Sequence, residues 1–400
     1  MQQARRLLLA SAVAVALTAC GQKAEQPKDQ AAAAPAETVV KIGHAAPLSG
    51  PIGHIGKDTE YGVAIALDEA NAEHLTIGGQ KVKFEMVSED DQGDPKAATQ
   101  VAQRFVDQKI AGIVGHLTSG PTITASKIYA DAGIPQITPS STNPAYTAQG
   151  FKTAFRLIAD DSQQGKAIAN YVVNKLGMKK LAIIDDRTAY GQGLADEFEK
   201  AAKALGADIV KREFTNDKAT DFTAILTSIK GVNPDAIFYG GMDAQGGPMA
   251  RQMQKLGIKS RLIGGDGLQS PVFLQLAGDA AEGQFSTQAG APKDQQPGYT
   301  AFADKLKAKY KQEIQMYATY AYDSAKVLIE AMKKADSVDP AKYLPALAQT
   351  QYSGATGDIA FDNKGDRKNA AVTVYQVKAG KWEVVDVVGG SAANAPEKSQ

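Results

Sequence analysis

The chain has 400 residues, with 44 basic and 44 acidic side chains, a hydrophobic fraction of 44% and a single cysteine. This length and hydrophobicity suit two ordinary domain cores, and the balanced charge argues against nucleic-acid binding. One cysteine excludes an internal disulfide, an iron–sulfur cluster and a cysteine-based zinc site. The four histidines form no His-x-x-x-His pair, so the sequence predicts neither a metal nor a cofactor.

The first 19 residues have the pattern of a secretory signal peptide, in which Arg5 and Arg6 precede a mostly apolar run over residues 7–17. That run is too short to cross a bilayer, which takes about 20 residues. The residues that end at Cys20 resemble the L-x-A-C lipobox of bacterial lipoproteins, and the single cysteine stands where that motif requires one. The resemblance implies cleavage before Cys20 and lipid attachment to it. The alternative is a plain signal peptide with an incidental cysteine.

Two further segments have no apolar period. Residues 20–38 comprise Cys20 and a stretch rich in Ala, Gln and Pro, which we expect to be a flexible tether. Residues 389–400 are expected to form a loose tail.

From residue 39 onward, short β-branched runs alternate with segments of helical period. Leu194, Phe198 and Leu205 fall on one face of a predicted helix, and Asp161-Ser162 is a cap signal for the helix before it. The alternation predicts parallel sheets covered on both faces, and the strands are too many for one ordinary sheet, so we expect two α/β lobes. The predicted strands are 39–42, 82–87, 113–114, 136–137, 181–184, 208–210, 236–239 and 262–263, followed by a hairpin over 372–377 and 382–387.

Ligands of open α/β sheets bind beyond the carboxyl ends of the strands, so the loops there are the candidate sites. In the loop 115–121, Ser119 can cap a helix whose first turn contains Pro121, and such a helix start binds a carboxylate well. A capped helix that binds no ligand explains the same residues equally well. In the next loop, Ser140, Ser141 and Thr142 offer three hydroxyls, although an ordinary polar turn explains them without a ligand.

Acidic residues follow two of the later strands. Asp266, framed by glycines, can pair with a ligand cation or form an Asx turn. Asp185 and Asp186 could be acid–base groups, but solvated loop charges are the favoured interpretation. His116 lies beside hydroxyls, and a core histidine satisfied by the backbone is favoured over part of a catalytic triad. The sequence has no dinucleotide, P-loop or nucleophile-elbow motif, which argues against an enzyme.

From residue 39 to about 388 the chain resembles the leucine/isoleucine/valine-binding proteins, the type I periplasmic substrate-binding components of ABC importers. The resemblance is carried by eight stretches in the family's order: 47–51 (PLSGP), 91–95 (DQGDP), 115–119 (GHLTS), 133–142 (GIPQITPSST), 190–193 (YGQG), 239–241 (YGG), 264–267 (GGDG) and 361–366 (FDNKGD).

The resemblance implies two Rossmann-like lobes with parallel central sheets, joined by a three-stranded hinge, with the ligand in the cleft between them. The first lobe would comprise residues 39–158 plus 288–366 and the second 159–287 plus 367–388. The chain would cross between the lobes near 157–161, 286–290 and 364–370.

The same resemblance implies roles for individual residues. The family's carboxylate-binding serine falls on Ser119, and the residues that bind the α-carboxylate and α-ammonium through backbone and hydroxyl fall on Ser140 and Thr142. The acidic partner of the ammonium falls on Asp266, where close relatives carry the longer Glu. An aromatic residue contributed by the second lobe falls on Tyr190.

Other positions depart from the family. Two aromatics that border the ligand's side chain are replaced by Ile55 and Met242, which puts leucine specificity in doubt; Met242 could admit longer side chains or simply fill a gap near the hinge. The disulfide of close relatives would join positions that are Gly93 and Thr118 here. Thr118 and Ser141 complete the expected ligand-binding set.

These observations predict a lipid-anchored periplasmic receptor, not an enzyme, that captures a small amino acid, branched-chain or aliphatic. It would deliver the amino acid to an ABC permease in the inner membrane and act as a monomer without a cofactor. The alternatives are the same fold with another small ligand, such as an amide, a polar amino acid or an aromatic acid, and a sensor that signals to another partner.

Overall fold

Two β-sheets, each covered by helices on both faces, organise residues 37–390, the part of the chain that the computed structural model describes. The predicted signal peptide, Cys20 and nearly all of the predicted tether and tail lie outside these residues. Within the described part, no helix has the length and apolarity needed to cross a membrane.

Strands and helices alternate along the described residues. The strands are β1 (Thr38–Ala46), β2 (Thr76–Ile77), β3 (Gln80–Asp90), β4 (Gly112–Gly115), β5 (Gln136–Thr138), β6 (Ala154–Arg156), β7 (Lys180–Asp185), β8 (Asp208–Phe214), β9 (Ala236–Gly240), β10 (Arg261–Gly264), β11 (Phe285–Gln288), β12 (Tyr352–Gly354), β13 (Gly357–Ile359), β14 (Val372–Lys378) and β15 (Lys381–Val388). The helices are α1 (Gly53–Ala72), α2 (Pro95–Asp107), α3 (Ser119–Asp131), α4 (Ala145–Ala148), α5 (Asp161–Asn170), α6 (Ala189–Ala204), α7 (Thr223–Val232), α8 (Asp243–Lys255), α9 (Pro271–Ala277), α10 (Tyr299–Tyr310), α11 (Ala318–Lys334) and α12 (Pro340–Ala348).

The sheet of the first lobe has the order β2-β3-β1-β4-β5-β6, and all of its pairs except β2 with β3 are parallel. Its strands are apolar on both sides because both faces are covered. Ile113 packs on the side of α2 and α3, whereas its neighbour Val114 packs on the side of α1, α11 and α12.

The sheet of the second lobe has the order β15-β14-β11-β10-β9-β7-β8, parallel from β8 to β11 and closed by an antiparallel hairpin. Successive residues of β7 again pack into the cores on opposite faces of the sheet. Ile183 packs against α5 and α6, and Ile184 packs against α7, α8 and α9. Phe198 of α6 stacks on Phe238 of β9, with ring centroids 4.0 Å apart.

The chain passes between the sheets three times: after β6, after β11 and before β14. At the third passage Asp366 pairs with Arg156 at the end of β6, so two of the passages lie side by side. The predicted two-lobed α/β architecture is confirmed; the residue limits assigned to each lobe stay a prediction.

Every predicted strand lies within an observed one, but two cap assignments are wrong by one residue. Asp160, not Asp161, caps α5, where it forms a capping box with Gln163. Thr118, not Ser119, occupies the cap position of α3, and its side chain makes no capping hydrogen bond. The first strand also begins at Thr38, inside the segment predicted to be a tether.

Candidate functional site

The carboxyl ends of the two sheets face each other. Among the described residues, three side-chain hydrogen bonds join the lobes there, beside a backbone bond from the Asp161 amide to the Thr142 carbonyl over 2.9 Å. Tyr317, before α11, donates its hydroxyl to Asp266 Oδ2 over 2.6 Å. His54 Nε2 lies 2.9 Å from Asp243 Oδ2, and Asn143 Nδ2 donates to the Ala189 carbonyl over 2.6 Å. The loops that follow β4, β5, β7, β9 and β10 are therefore enclosed between the lobes.

Asp266 is held by hydrogen bonds from three side chains of the enclosed region. It is fully buried after β10, and its Oδ1 accepts hydrogen bonds from Tyr190 Oη at 2.8 Å and Gln164 Nε2 at 3.2 Å, while Tyr317 binds Oδ2. Burial raises the pKa of Asp266, and the bonds from Tyr317, Tyr190 and Gln164 oppose that shift. All three donors are side chains from distant parts of the chain, which is not the local pattern of an Asx turn.

A second buried carboxylate, Asp161, lies beside it. Gln164 Nε2, which binds Asp266, is also 3.4 Å from Asp161 Oδ1, so one amide bridges both groups. Burial raises the pKa of Asp161 well above its usual range, and the charge of Asp266 adds to the shift. Among the described residues, Asp161 Oδ2 makes no hydrogen bond of regular geometry, although the nearby Thr142 side chain partly opposes the rise in its pKa. The sequence offered Asp161 only as a cap signal, and neither Gln164 nor Tyr317 was predicted.

The loop after β5 is buried rather than an ordinary exposed turn. Ser140 Oγ donates to the Leu117 carbonyl over 2.8 Å, and Arg156 Nη1 donates to the Ser141 carbonyl at 3.2 Å. The hydroxyls of Ser141 and Thr142 are buried without a partner in the described part of the chain. Buried polar atoms are nearly always hydrogen-bonded, so two such hydroxyls in one loop indicate a place for a polar ligand.

The neighbouring helix start adds a third such hydroxyl. Ser119, the first residue of α3, accepts a hydrogen bond from the Asn143 amide over 3.3 Å. The buried Thr118 hydroxyl has no partner in residues 37–390. A Cβ atom added to Gly93 would lie 4.0 Å from Thr118 Oγ1, so the two positions that resemble the family's disulfide are neighbours here.

The remaining predicted site residues divide between cleft and core. Tyr190 lies in the first turn of α6, where its hydroxyl also accepts from the Gly267 amide at 2.8 Å. Met242 lies beside that glycine, because a Cβ added to Gly267 would be 3.0 Å from its sulfur. Ile55 is fully buried in the hydrophobic core of the first lobe.

Asp185 and Asp186 are not the solvated charges that the sequence suggested, since each is 2% exposed. Arg212 donates to Asp185 Oδ2 over 3.0 Å. Asp186 accepts from the amide and hydroxyl of Thr188, at 2.9 and 2.6 Å, and burial raises its pKa to about 6. Both carboxylates therefore hold the start of α6 and its surroundings.

His116 is a core histidine, but its partners are side chains rather than the predicted backbone groups. Its Nδ1 lies 2.6 Å from Asp91 Oδ2 and its Nε2 lies 2.9 Å from Tyr129 Oη. Both ring nitrogens are thus engaged, and neither contacts a serine or cysteine. No cluster of three or more metal-ligating side chains occurs within the described ranges.

The enclosed region thus offers hydroxyls and a helix start on one lobe and two carboxylates on the other. Two α/β lobes connected by three passages around such a cleft define a class of proteins that bind a small solute between their lobes. The family model described as periplasmic binding protein matches residues 39–381. The chain belongs to this family.

Named relatives agree with that assignment. The chain is 35% identical over 347 residues to the Leu/Ile/Val-binding protein homolog 1 of Brucella abortus, covering 86% of this chain and 90% of the relative. It is 33% identical over 341 residues to the leucine-, isoleucine-, valine-, threonine- and alanine-binding protein of Pseudomonas aeruginosa, covering 85% and 90%. The crystal structure of the branched-chain amino acid transporter substrate-binding protein LivJ of Streptococcus pneumoniae, in complex with isoleucine, superposes with a TM-score of 0.79 at 31% identity, covering 88% and 100%. The resemblance seen in the sequence is confirmed.

Proposed function

We propose that the cleft binds the zwitterion of a small aliphatic α-amino acid and that the protein delivers it to an ABC permease. The observation that carries this proposal is the pairing of unpartnered buried hydroxyls on one lobe with the carboxylates Asp161 and Asp266 on the other. The carboxylate of an amino acid suits the hydroxyls of the first lobe, and its ammonium suits the carboxylates of the second.

The carboxylate end of the ligand would lie against the first lobe. The hydroxyls of Thr118, Ser141 and Thr142 are available to donate, and Ser119 opens a helix of 13 residues whose first amides favour an anion. Ser140 would act through its backbone, because its hydroxyl already binds the Leu117 carbonyl.

The ammonium end would lie against the second lobe. Asp266 supplies negative charge but is already bonded by three side chains, whereas Asp161 Oδ2 is free to accept. A ligand with a carboxylate and no ammonium would bring a further negative charge next to Asp266 in this buried place, which like-charge repulsion disfavours. The acidic side of the cleft therefore favours an amino acid over an aromatic acid.

The charged contacts must supply most of the affinity. Burial of a leucine-like side chain contributes about 1.5–3 kcal/mol, whereas a micromolar dissociation constant corresponds to about 8 kcal/mol. Met242, which lies beside Gly267 in the loop of Asp266, offers an apolar contact to the ligand's side chain, and this supports a branched-chain or smaller side chain. The names of the relatives, which cite leucine, isoleucine, valine, threonine and alanine, agree with that range.

The finer sequence predictions belong to the same proposal. The protein would be exported with residues 1–19 as signal peptide and anchored to a membrane through lipid on Cys20. It would act as a monomer, with residues 39–158 plus 288–366 forming one lobe and 159–287 plus 367–388 the other. Closure of these lobes around the hinge would bury the ligand.

Native mass spectrometry of the protein purified from the periplasm tests the ligand assignment, with an added mass of a branched-chain amino acid as the expected result. Ligand-free protein, prepared by unfolding and refolding, is then screened by thermal shift against amino acids, amides and aromatic acids. A ligand at 100 times its dissociation constant stabilises by about 2.7 kcal/mol, so leucine, isoleucine and valine should each raise the melting temperature. Stabilisation by aromatic acids alone would contradict the proposal.

A further inference from the structure

His54 and Asp243 form a contact between the lobes that the ligand groups do not explain. His54 lies in the first turn of α1, and Asp243 is the first residue of α8. The imidazole Nε2 donates to Asp243 Oδ2 over 2.9 Å, since a carboxylate can only accept. The side chain of His54 is 23% exposed, whereas that of Asp243 is fully buried.

The Asp243 carboxylate has few hydrogen-bond donors other than His54. Ser270 donates its hydroxyl to the same Oδ2 over 2.5 Å, and the other oxygen, Oδ1, has no partner among the described residues. The carboxylate therefore depends on two donors, and one of them belongs to the opposite lobe. Without His54, closure of the lobes would bury a carboxylate with a single donor, and that is costly because water can solvate it only when the cleft is open.

The contact is placed next to the ligand's expected side chain. His54 precedes Ile55 and Asp243 follows Met242, the two positions where the family resemblance indicates aromatics along that part of the pocket. The pair thus joins the lobes beside two positions whose side chains differ from the aromatics that the resemblance indicates.

We propose that His54 and Asp243 form a latch that holds the lobes together and sets how long the ligand stays bound. The hydrogen bond exists only when the lobes meet, so it stabilises the closed form relative to the open one and slows release. This inference rests on ligand capture in the cleft, as proposed above.

A natural reporter lies beside the latch. Trp382, the single tryptophan of the chain, donates its Nε1 to the Ser270 carbonyl over 3.1 Å and packs on Phe273 with ring centroids 5.4 Å apart. Ser270 in turn bonds Asp243. The fluorescence emission of Trp382 should therefore respond to changes around Ser270 and Asp243, and no added label is needed.

Stopped-flow measurement of leucine release, followed by Trp382 emission or by competition with labelled leucine, tests the latch in four proteins: wild type, His54→Ala, Asp243→Asn and the double variant. One hydrogen bond to a charged group corresponds to about tenfold to a hundredfold in rate, and the partial exposure of His54 favours the lower end, so His54→Ala should release leucine about ten times faster. The double variant should be no faster than the faster single one, because both remove the same contact. The exposed His74, which follows the other end of α1, provides His74→Ala as a control with unchanged release.

A release rate in His54→Ala within twofold of wild type, or single effects that multiply in the double variant, would overturn the latch while leaving the proposed function intact. Failure of any amino acid to bind wild-type protein would overturn the proposed function instead. In that case small-angle X-ray scattering of the ligand-free proteins still decides the latch: a larger radius of gyration in His54→Ala supports it, and equal radii refute it. Equal melting temperatures for the variants show that folding is intact.

Discussion

Replacement of Asp161 by Asn should weaken ligand binding and stabilise the ligand-free protein at once. Among the carboxylate oxygens of Asp161 and Asp266, Asp161 Oδ2 alone has no hydrogen-bond donor within the described residues, so it is the oxygen that can accept from a ligand ammonium. A hydrogen bond to a charged group is worth about 1.5–3 kcal/mol, so leucine affinity should fall about tenfold to a hundredfold. Isothermal titration at pH 7 measures this loss.

The effect on stability has the opposite sign because the pKa of Asp161 is raised. Burial and the neighbouring charge of Asp266 raise this pKa, so the folded protein holds a proton that the unfolded chain releases above a pH of about 4. The contribution of Asp161 to stability is therefore present at low pH and is lost as the pH rises through the folded-state pKa. Asp161→Asn removes that loss, so its melting temperature should exceed the wild-type value at pH 7 and the difference should shrink towards pH 4.

Asp160→Asn provides the matched control. Asp160 is the adjacent residue and caps α5 by accepting the Gln163 amide over 2.9 Å, a role that Asn performs equally well. This variant should bind and melt as the wild type does. Unchanged affinity in Asp161→Asn, or a loss of stability together with affinity, would refute the assignment of Asp161 to the ammonium.

Three further predictions concern other carboxylates and the anchor. Asp266→Asn should lower leucine affinity at least tenfold in isothermal titration, with little change in melting temperature because the Asn oxygen still accepts from Tyr190 and its NH2 group can donate to the Tyr317 hydroxyl; unchanged affinity would remove Asp266 from the site. Asp186→Asn should reduce the fall in stability that accompanies a rise in pH from 4 to 6, measured by urea unfolding, since burial raises the pKa of Asp186 to about 6; the same fall in both proteins would contradict this. Cys20→Ser should stop incorporation of radiolabelled palmitate and leave the exported protein soluble, and continued labelling would show that Cys20 is not the anchor.

The location of the site could be predicted from the sequence because it follows from local pattern and one geometric rule. Period-two and period-3.6 hydrophobic patterns locate strands and helices, and the carboxyl ends of parallel strands meet at one edge of a sheet. That is enough to predict that the loops around Thr142 and Asp266 lie at the carboxyl edges of their sheets, whereas the cleft between the lobes was implied by the family resemblance. The family resemblance added the roles of single residues.

The partners of these residues could not be predicted, because they depend on how distant segments meet. Tyr317 bonds Asp266 from the other lobe, and Gln164 reaches it from the first turn of α5. The burial of Asp185 and Asp186 has the same origin, since nothing in a strand-end Asp-Asp pair indicates that Arg212 will cover it. Periodicity reports which face of an element is apolar, not which polar groups another element brings to it.

The central claim, that the cleft recognises both ends of an amino acid, is tested most directly by isothermal titration of three ligands that share one side chain. Leucine carries both charges, 4-methylpentanoate lacks the ammonium, and 3-methylbutylamine lacks the carboxylate. The hydroxyls on one lobe and Asp161 with Asp266 on the other predict that leucine binds at least about tenfold more tightly than either analogue, since each lacks at least one charge-assisted contact. Binding of 4-methylpentanoate as tight as that of leucine would contradict the account.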